Sequence, residues 1–276
     1  MKTTNAYYSA MTTGINKMDK SKFDLLGVVA PGDGTDAQAQ ITAIQGMLTR
    51  GANALVVAPI GPQVEPVLDQ AVSEGVKVVL VDNDLPGWKK LSSYVGTDNY
   101  AGGKRGGEYL AKELDGKGSV AVMSGVPGVP ALQDRVDGML AGLKGTDIKV
   151  VKTLSTDCDQ TKGVNVMQAI GSSDPDVDAI YSACGPPVLG AIEARSKTNV
   201  FKKNLLIVGF DGLPDEAKAI LAGTETASVA QFPQKMGTTA VTTAAAAASG
   251  KKVKAVIDTG TVIVTKATAQ TFTKFQ

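Results

Sequence analysis

The feature that most constrains this chain is a repeated alternation. Short β-branched apolar runs are followed by amphipathic stretches along almost the whole length. The runs at 23–30, 54–58, 76–81, 119–123, 148–154, 179–182, 205–210 and 227–230 read as strands. The stretches at 8–20, 36–50, 63–73, 101–113, 131–143, 162–171, 187–197, 215–221 and 234–248 read as helices. Strands apolar at nearly every position belong in parallel sheets covered on both faces. The expected class is therefore α/β. There are too many units for one open sheet, and 276 residues fit two doubly wound domains of similar size. Thr35-Asp36 and Asp98-Asn99 offer oxygens to free helix N–H groups, and Gly51, Gly75 and Gly223 sit where helices should stop.

Ligands of such sheets bind beyond the carboxyl ends of the strands. Those ends here carry Asp82-Asn83, Cys184-Gly185 and Asp211-Gly212. Asp and Gly are also ordinary turn residues, so each pair has two readings.

Composition removes several kinds of chemistry. The chain has no histidine, which excludes Ser-His-Asp catalysis and His-ligated zinc. Two cysteines, Cys158 and Cys184, cannot make a four-thiolate metal site. No cofactor is expected. Lys plus Arg is 28 against 27 for Asp plus Glu, so no basic excess draws in nucleic acid. No apolar run approaches the roughly 20 residues of a membrane span, and Met1 to Asn5 lack the apolar stretch of a signal peptide.

Glycine motifs fail on spacing. Gly102-Gly103-Lys104 has Asp98 and Arg105 where a phosphate loop needs glycine and Ser or Thr. Gly32-Asp33-Gly34 lacks a third glycine, and the loop from Ser124 to Pro130 has the wrong spacing for a dinucleotide. Asp82 and Asp211 could serve as paired acid and base, or could accept hydrogen bonds from ligand hydroxyls. Arg135, one of four arginines, could pair at the surface with Asp134 or Asp137, or offer a rigid fork to hydroxyl and ring oxygens. Tyr7 and Tyr8 could pack as a hydrophobic helix start. They could instead form a stacking platform for a sugar face, with the phenol OH left wet.

Six stretches taken together carry a resemblance. They are Asn5-Ala6-Tyr7-Tyr8, Val81-Asp82-Asn83, Gly96-Thr97-Asp98-Asn99-Tyr100-Ala101-Gly102-Gly103, Gln133-Asp134-Arg135-Val136-Asp137-Gly138, Val208-Gly209-Phe210-Asp211-Gly212 and Ala230-Gln231. In order and spacing the chain resembles bacterial ribose-type periplasmic sugar-binding proteins of ABC transporters, with the type I fold. The resemblance runs from residue 1 to about 266. It implies two Rossmann-like lobes joined by a three-segment hinge. One lobe would be 1–97 plus 232–259, the other 98–231 plus 260–276. A solute would sit in the cleft and closure would bury it.

The ligand contacts that the resemblance implies are Asn5, Tyr7, Tyr8, Asp82 and Asn83 in the first lobe. Arg135, Asp211 and hinge-side Gln231 complete them, and Cys158 and Cys184 fall at cleft positions. Asn83 replaces the usual arginine, Ala58 an asparagine, Cys158 a stacking aromatic, and Cys184-Gly185 an asparagine–aspartate pair. The altered pocket points away from ribose toward another pentose, hexose, polyol or small hydroxylated molecule. The same alignment leads to the expectation of a disulfide between Cys158 and Cys184.

A lobe of this family also needs a fuller strand before Asn5. Met1 is accordingly expected to lie inside that strand, with a signal peptide upstream and the product periplasmic. The implied partners are a sugar or polyol and an ABC transporter permease, with a monomeric receptor. Two alternatives share these features: the effector core of a LacI-type regulator, and a sugar-modifying enzyme using Asp82 and Asp211. The absence of a basic patch argues against the first, and the lack of a positioned acid/base pair against the second.

Overall fold

The computed structural model describes residues 6–21, 23–30 and 36–275. Up to Thr97 the elements are α1 (Ala6–Asn16), α2 (Ala37–Thr49), β1 (Ala54–Val57), α3 (Glu65–Ser73), β2 (Lys77–Val81) and β3 (Ser93–Gly96). From Asp98 to Gln231 follow α4 (Asn99–Glu113), β4 (Lys117–Ser124), α5 (Pro130–Gly142), β5 (Asp147–Ser155) and α6 (Gln160–Ser173). β6 (Ala179–Ser182), α7 (Gly185–Ser196), β7 (Leu206–Asp211), α8 (Pro214–Ala222) and β8 (Ala227–Ala230) complete that stretch. The chain ends with α9 (Pro233–Ala248), β9 (Val256–Asp258) and β10 (Val262–Val264).

Two units result. The first extends to Thr97 and includes Phe232–Thr259; the second comprises Asp98–Gln231 and Gly260–Lys274. Phe275 belongs with the first unit rather than the second, where the resemblance puts the C-terminal piece. Its carbonyl accepts from Gln234 Nε2 of α9 at 2.7 Å, which ties it there.

The first unit holds a four-stranded parallel sheet in the order β1-β2-β3-β9. One face is covered by α2 and α3, through Ile44, Val67, Leu68 and Leu80. The other is covered by α1 and α9, through Met11, Ile15, Met236 and Val241. The second unit holds six strands in the order β10-β8-β7-β6-β4-β5, all parallel except β10, which runs antiparallel to β8. A doubly wound α/β architecture is thus present in both units. Asp36 and Asp98 cap α2 and α4, accepting from Ala39 N and Ala101 N at 2.8 Å.

The segment 23–30 is not a strand, although its pattern suggests one. It is not assigned to a strand, and β1 is the outermost described strand on that side of the sheet. An apolar β-branched run records burial, whereas a strand also requires a neighbour at hydrogen-bonding distance. β3, β9 and β10 were not anticipated. They span three or four residues, too few for a period to show.

One packing detail positions the site. α4 and α5 meet through glycines: a Cβ on Gly103 would lie 2.1 Å from Arg135 O, and one on Gly138 2.1 Å from Tyr100 O. Only bare backbone permits that approach, which brings α5's Arg135 to the start of α4.

Candidate functional site

The second unit gathers its polar side chains around Asp211, the last residue of β7. Its Oδ1 accepts from Arg135 Nη1 at 3.0 Å and from Gln231 Nε2 at 2.8 Å. Its Oδ2 accepts from the backbone N–H of Gly185, the first residue of α7, at 3.0 Å. Asp211 has φ 95°, in the left-handed region that non-glycine residues seldom adopt. Such strain is typical of residues fixed for binding.

Arg135 is only 7% exposed. Its Nε donates to Asn99 Oδ1 at 2.8 Å, its Nη1 also to Ala183 O at 2.9 Å, and its guanidinium lies over Phe210 at 3.9 Å. These contacts lock a planar fork in place while its Nη2 protons carry no hydrogen bond among the described residues. Such a fork is preorganised to donate to hydroxyl or ring oxygens. The surface pairing with Asp134 or Asp137 does not form. Arg135 points inward, and Asp137 instead accepts from Gln133.

In the first unit the site residues cluster at the end of β2. Tyr8 OH donates to Asp82 Oδ2 at 2.5 Å, and Asn83 Nδ2 donates to Tyr8 OH and to Pro59 O, both at 3.3 Å. Tyr94 OH donates to the Asp82 carbonyl at 2.8 Å, and Asp82 has φ 65°. Burial, reinforced by the Asp82 charge, holds the Tyr8 phenol well above its ordinary pKa. The expected stacking role of Tyr8 needs correction. Its ring is buried against Ala58 and Val81, and its hydroxyl is bonded rather than wet. Tyr8 orients Asp82. Tyr7 meets Tyr8 edge-on at 5.7 Å and is half-buried. Asn5 lies outside the described residues. Ala58 is wholly buried, and its carbonyl accepts from Gln40 Nε2 at 2.8 Å.

Cys158 and Cys184 are joined in a disulfide, with Cα atoms 5.4 Å apart. The bridge ties the loop after β5 to the N-cap of α7, next to Gly185. It therefore helps fix the N–H that Gly185 presents to Asp211. A closed loop spanning a 26-residue separation should contribute about 3 kcal/mol. Reduction, or the Cys158→Ala/Cys184→Ala double variant, is expected to lower the thermal midpoint by about 6–12 °C. A scan with and without reductant checks this, and unchanged midpoints would refute it.

Three residues of the site were not singled out in advance. Asn99 reads as part of a cap, but Asp98 supplies the cap while Asn99 holds Arg135. Phe210 reads as a strand residue inside one of the six stretches, and Tyr94 falls in no predicted element.

Comparison with known proteins gives this arrangement a context. The periplasmic binding protein domain matches residues 1–252. The chain belongs to the periplasmic binding protein family. Among relatives of this family, the ribose import binding protein RbsB of Haemophilus influenzae is 30% identical over 256 residues, covering 92% of this chain and 85% of that one. An ABC transporter periplasmic solute binding protein from Actinobacillus succinogenes, solved with bound D-allose, superposes with a TM-score of 0.91 at 25% identity. That alignment covers 98% of this chain and 97% of the other. An ABC transporter solute binding protein from Burkholderia graminis, in complex with D-arabinose, aligns with a TM-score of 0.85 at 29% identity, covering 99% and 96%. The type I periplasmic binding protein fold is therefore established for both units.

Proposed function

We propose that this chain is the solute receptor of an ABC importer, and that its solute is a monosaccharide or a related polyol. The observation that carries the reading is the Arg135–Asp211–Gln231 array. It is a half-buried carboxylate on a strained backbone, held by three donors, beside a buried guanidinium that still has protons to give. Vicinal hydroxyls need that mixture of fixed acceptors and donors. Asp82 and Asn83, oriented by Tyr8, supply a second set of fixed polar groups in the first unit. Binding is coupled to the hinge movement that the family resemblance implies. The names of the relatives, a ribose importer and receptors holding D-allose and D-arabinose, support a sugar. The substitutions Ala58, Cys158 and Cys184 favour a solute other than ribose. Nothing in the site favours an enzyme or a regulator. We further propose that the receptor acts as a monomer outside the cytoplasmic membrane and delivers its solute to a permease.

Thermal unfolding against D-ribose, D-allose, D-arabinose, other aldoses and myo-inositol tests the reading. A solute at 1,000 times its Kd adds about 4 kcal/mol, or about 8–16 °C. One selective shift of that size is expected. A cooperative transition unmoved by any sugar or polyol would overturn the proposal.

A further inference from the structure

The Cys158–Cys184 bridge crosses a strand. In the sheet of the second unit β4 lies between β5 and β6, whose carboxyl ends lead into the two cysteines. Strands two places apart are about 10 Å from each other, yet the two Cα atoms are 5.4 Å apart. The two loops therefore lean together over the end of β4. Chain order also reverses there, since β5 follows β4 on one side and β6 returns on the other. A doubly wound sheet holds its ligand at such a point.

The helices behind the cysteines are held together without the sulfurs. A Cβ on Gly163 of α6 would lie 2.5 Å from Pro187 O, and one on Gly190 of α7 would lie 2.1 Å from Gln160 O. The turn that carries Cys158 is different. Asp159 N donates to Thr156 O at 2.9 Å, and the central residues Asp157 and Cys158 have φ 49° and 57°. Two left-handed central residues make the type I′ form, which favours glycine at the second. Asp157 is fixed by Ser155 and Lys162, whereas the side chain of Cys158 is held by the bridge. At the other end Cys184 is the N-cap of α7, which opens Gly185-Pro186-Pro187. Proline has no N–H, so Gly185 alone among these three can donate, and Asp211 Oδ2 takes that donor. Ser182 Oγ donates to the Cys184 carbonyl at 2.7 Å, which leaves the Cys184 side chain to the bridge.

We infer that the bridge is a redox switch on the donor set of Asp211. Oxidised, it holds the Gly185 N–H against the carboxylate. Reduced, it releases the 156–159 turn and lets that N–H move away, while the glycine contacts of α6 and α7 keep the unit folded. The inference rests on reading the Arg135–Asp211–Gln231 array as the solute site. The step is thiol–disulfide exchange with a dithiol. Cys184 is buried and Cys158 half-buried, so a thiolate of the dithiol attacks Cys158 Sγ. The bond between the two Sγ atoms breaks, and Cys184 leaves as a thiolate and takes up a proton. The second thiol of the reagent then displaces Cys158 from the mixed disulfide. The dithiol ends as its own disulfide, having given up two electrons and two protons.

The test compares oxidised protein with protein reduced by dithiothreitol. Amide hydrogen exchange at Gly185 is read without solute, and D-ribose, D-allose, D-arabinose and myo-inositol are then titrated into each form. Reduction is expected to speed exchange at Gly185 by at least about tenfold, with β4 and β7 unchanged, and to weaken the solute that binds by at least about tenfold. Reoxidation should restore both, and the Cys158→Ala/Cys184→Ala variant should match the reduced form with or without reductant. Equal exchange at Gly185 in the two forms would overturn the switch. So would a reduced chain that unfolds or exchanges faster throughout, because the bridge would then staple the whole unit. Faster exchange at Gly185 with solute affinity unchanged would overturn it too. If none of the four solutes binds the oxidised protein, the receptor reading is what fails, and acceleration confined to Gly185 then supports the switch on Asp211 by itself.

Discussion

Asp211→Ala is expected to remove solute binding and to destabilise the second unit together. The carboxylate is the only anion paired with Arg135 among the described residues. Arg135 would keep Asn99 Oδ1 and Ala183 O as acceptors, but its charge would stay buried without a counter-charge. Breaking a buried pair from one side costs about 3–5 kcal/mol, which corresponds to a fall of about 6–20 °C in the midpoint. Gln231 Nε2 and Gly185 N would lose their acceptor at the same time. Asp211→Asn tolerates the left-handed backbone and keeps one acceptor oxygen, so it should fall between the two. The double variant Arg135→Met/Asp211→Ala should recover part of the stability, because no unpaired charge remains, but none of the solute shift. Thermal scans of the four proteins, with and without the active sugar, separate these effects. A single variant that unfolds like the parent and still responds to sugar would show that the array is not the binding element.

The candidate positions were legible where chemistry follows strand order. Asp82, Asp211 and the Cys184-Gly185 pair stand at carboxyl ends of strands, and polar residues there are informative once the alternation is recognised. The partner of Arg135 was not legible. The local pattern offered Asp134 and Asp137, while the acceptor used lies 76 residues away. What links them is the close approach of α4 and α5 at Gly103 and Gly138, a three-dimensional fact with no one-dimensional signature. Segment 23–30 failed for a related reason. Its Phe23, Leu25 and Val28 pack against the first unit's core, but strand pairing depends on what lies beside the segment.

The same limit hid a buried carboxyl pair, which leads to the second large expected effect. Glu216 reads as an ordinary acid in the first turn of α8, and Glu225 as a loop residue. Both are buried, and both lie against Gly209, where a Cβ would come within 2.3 Å of Glu216 Oε1 and 2.8 Å of Glu225 Oε1. Glu216 accepts from Leu213 N at 2.8 Å and Ser228 Oγ at 2.9 Å, whereas among the described residues the Glu225 oxygens find no partner outside the pair. Burial, then the charge of Asp211, pushes Glu216 up to about 8. Burial, then Glu216 itself, raises Glu225 well above the usual carboxylate range. The folded protein thus holds protons that the unfolded chain releases near pH 4. Where the unfolded state binds fewer protons, stability falls as pH rises. The contribution of the pair is full at acid pH and declines from about pH 4.3 through the raised folded values. Glu225→Gln leaves a neutral amide in place of one acid and removes the charge beside Glu216. Denaturant unfolding at pH 5, 7 and 8.5 should show little change at pH 5 and a gain of ~2–4 kcal/mol at pH 8.5, with a flatter slope between. Parallel pH profiles for variant and parent would mean that the pair does not share a proton.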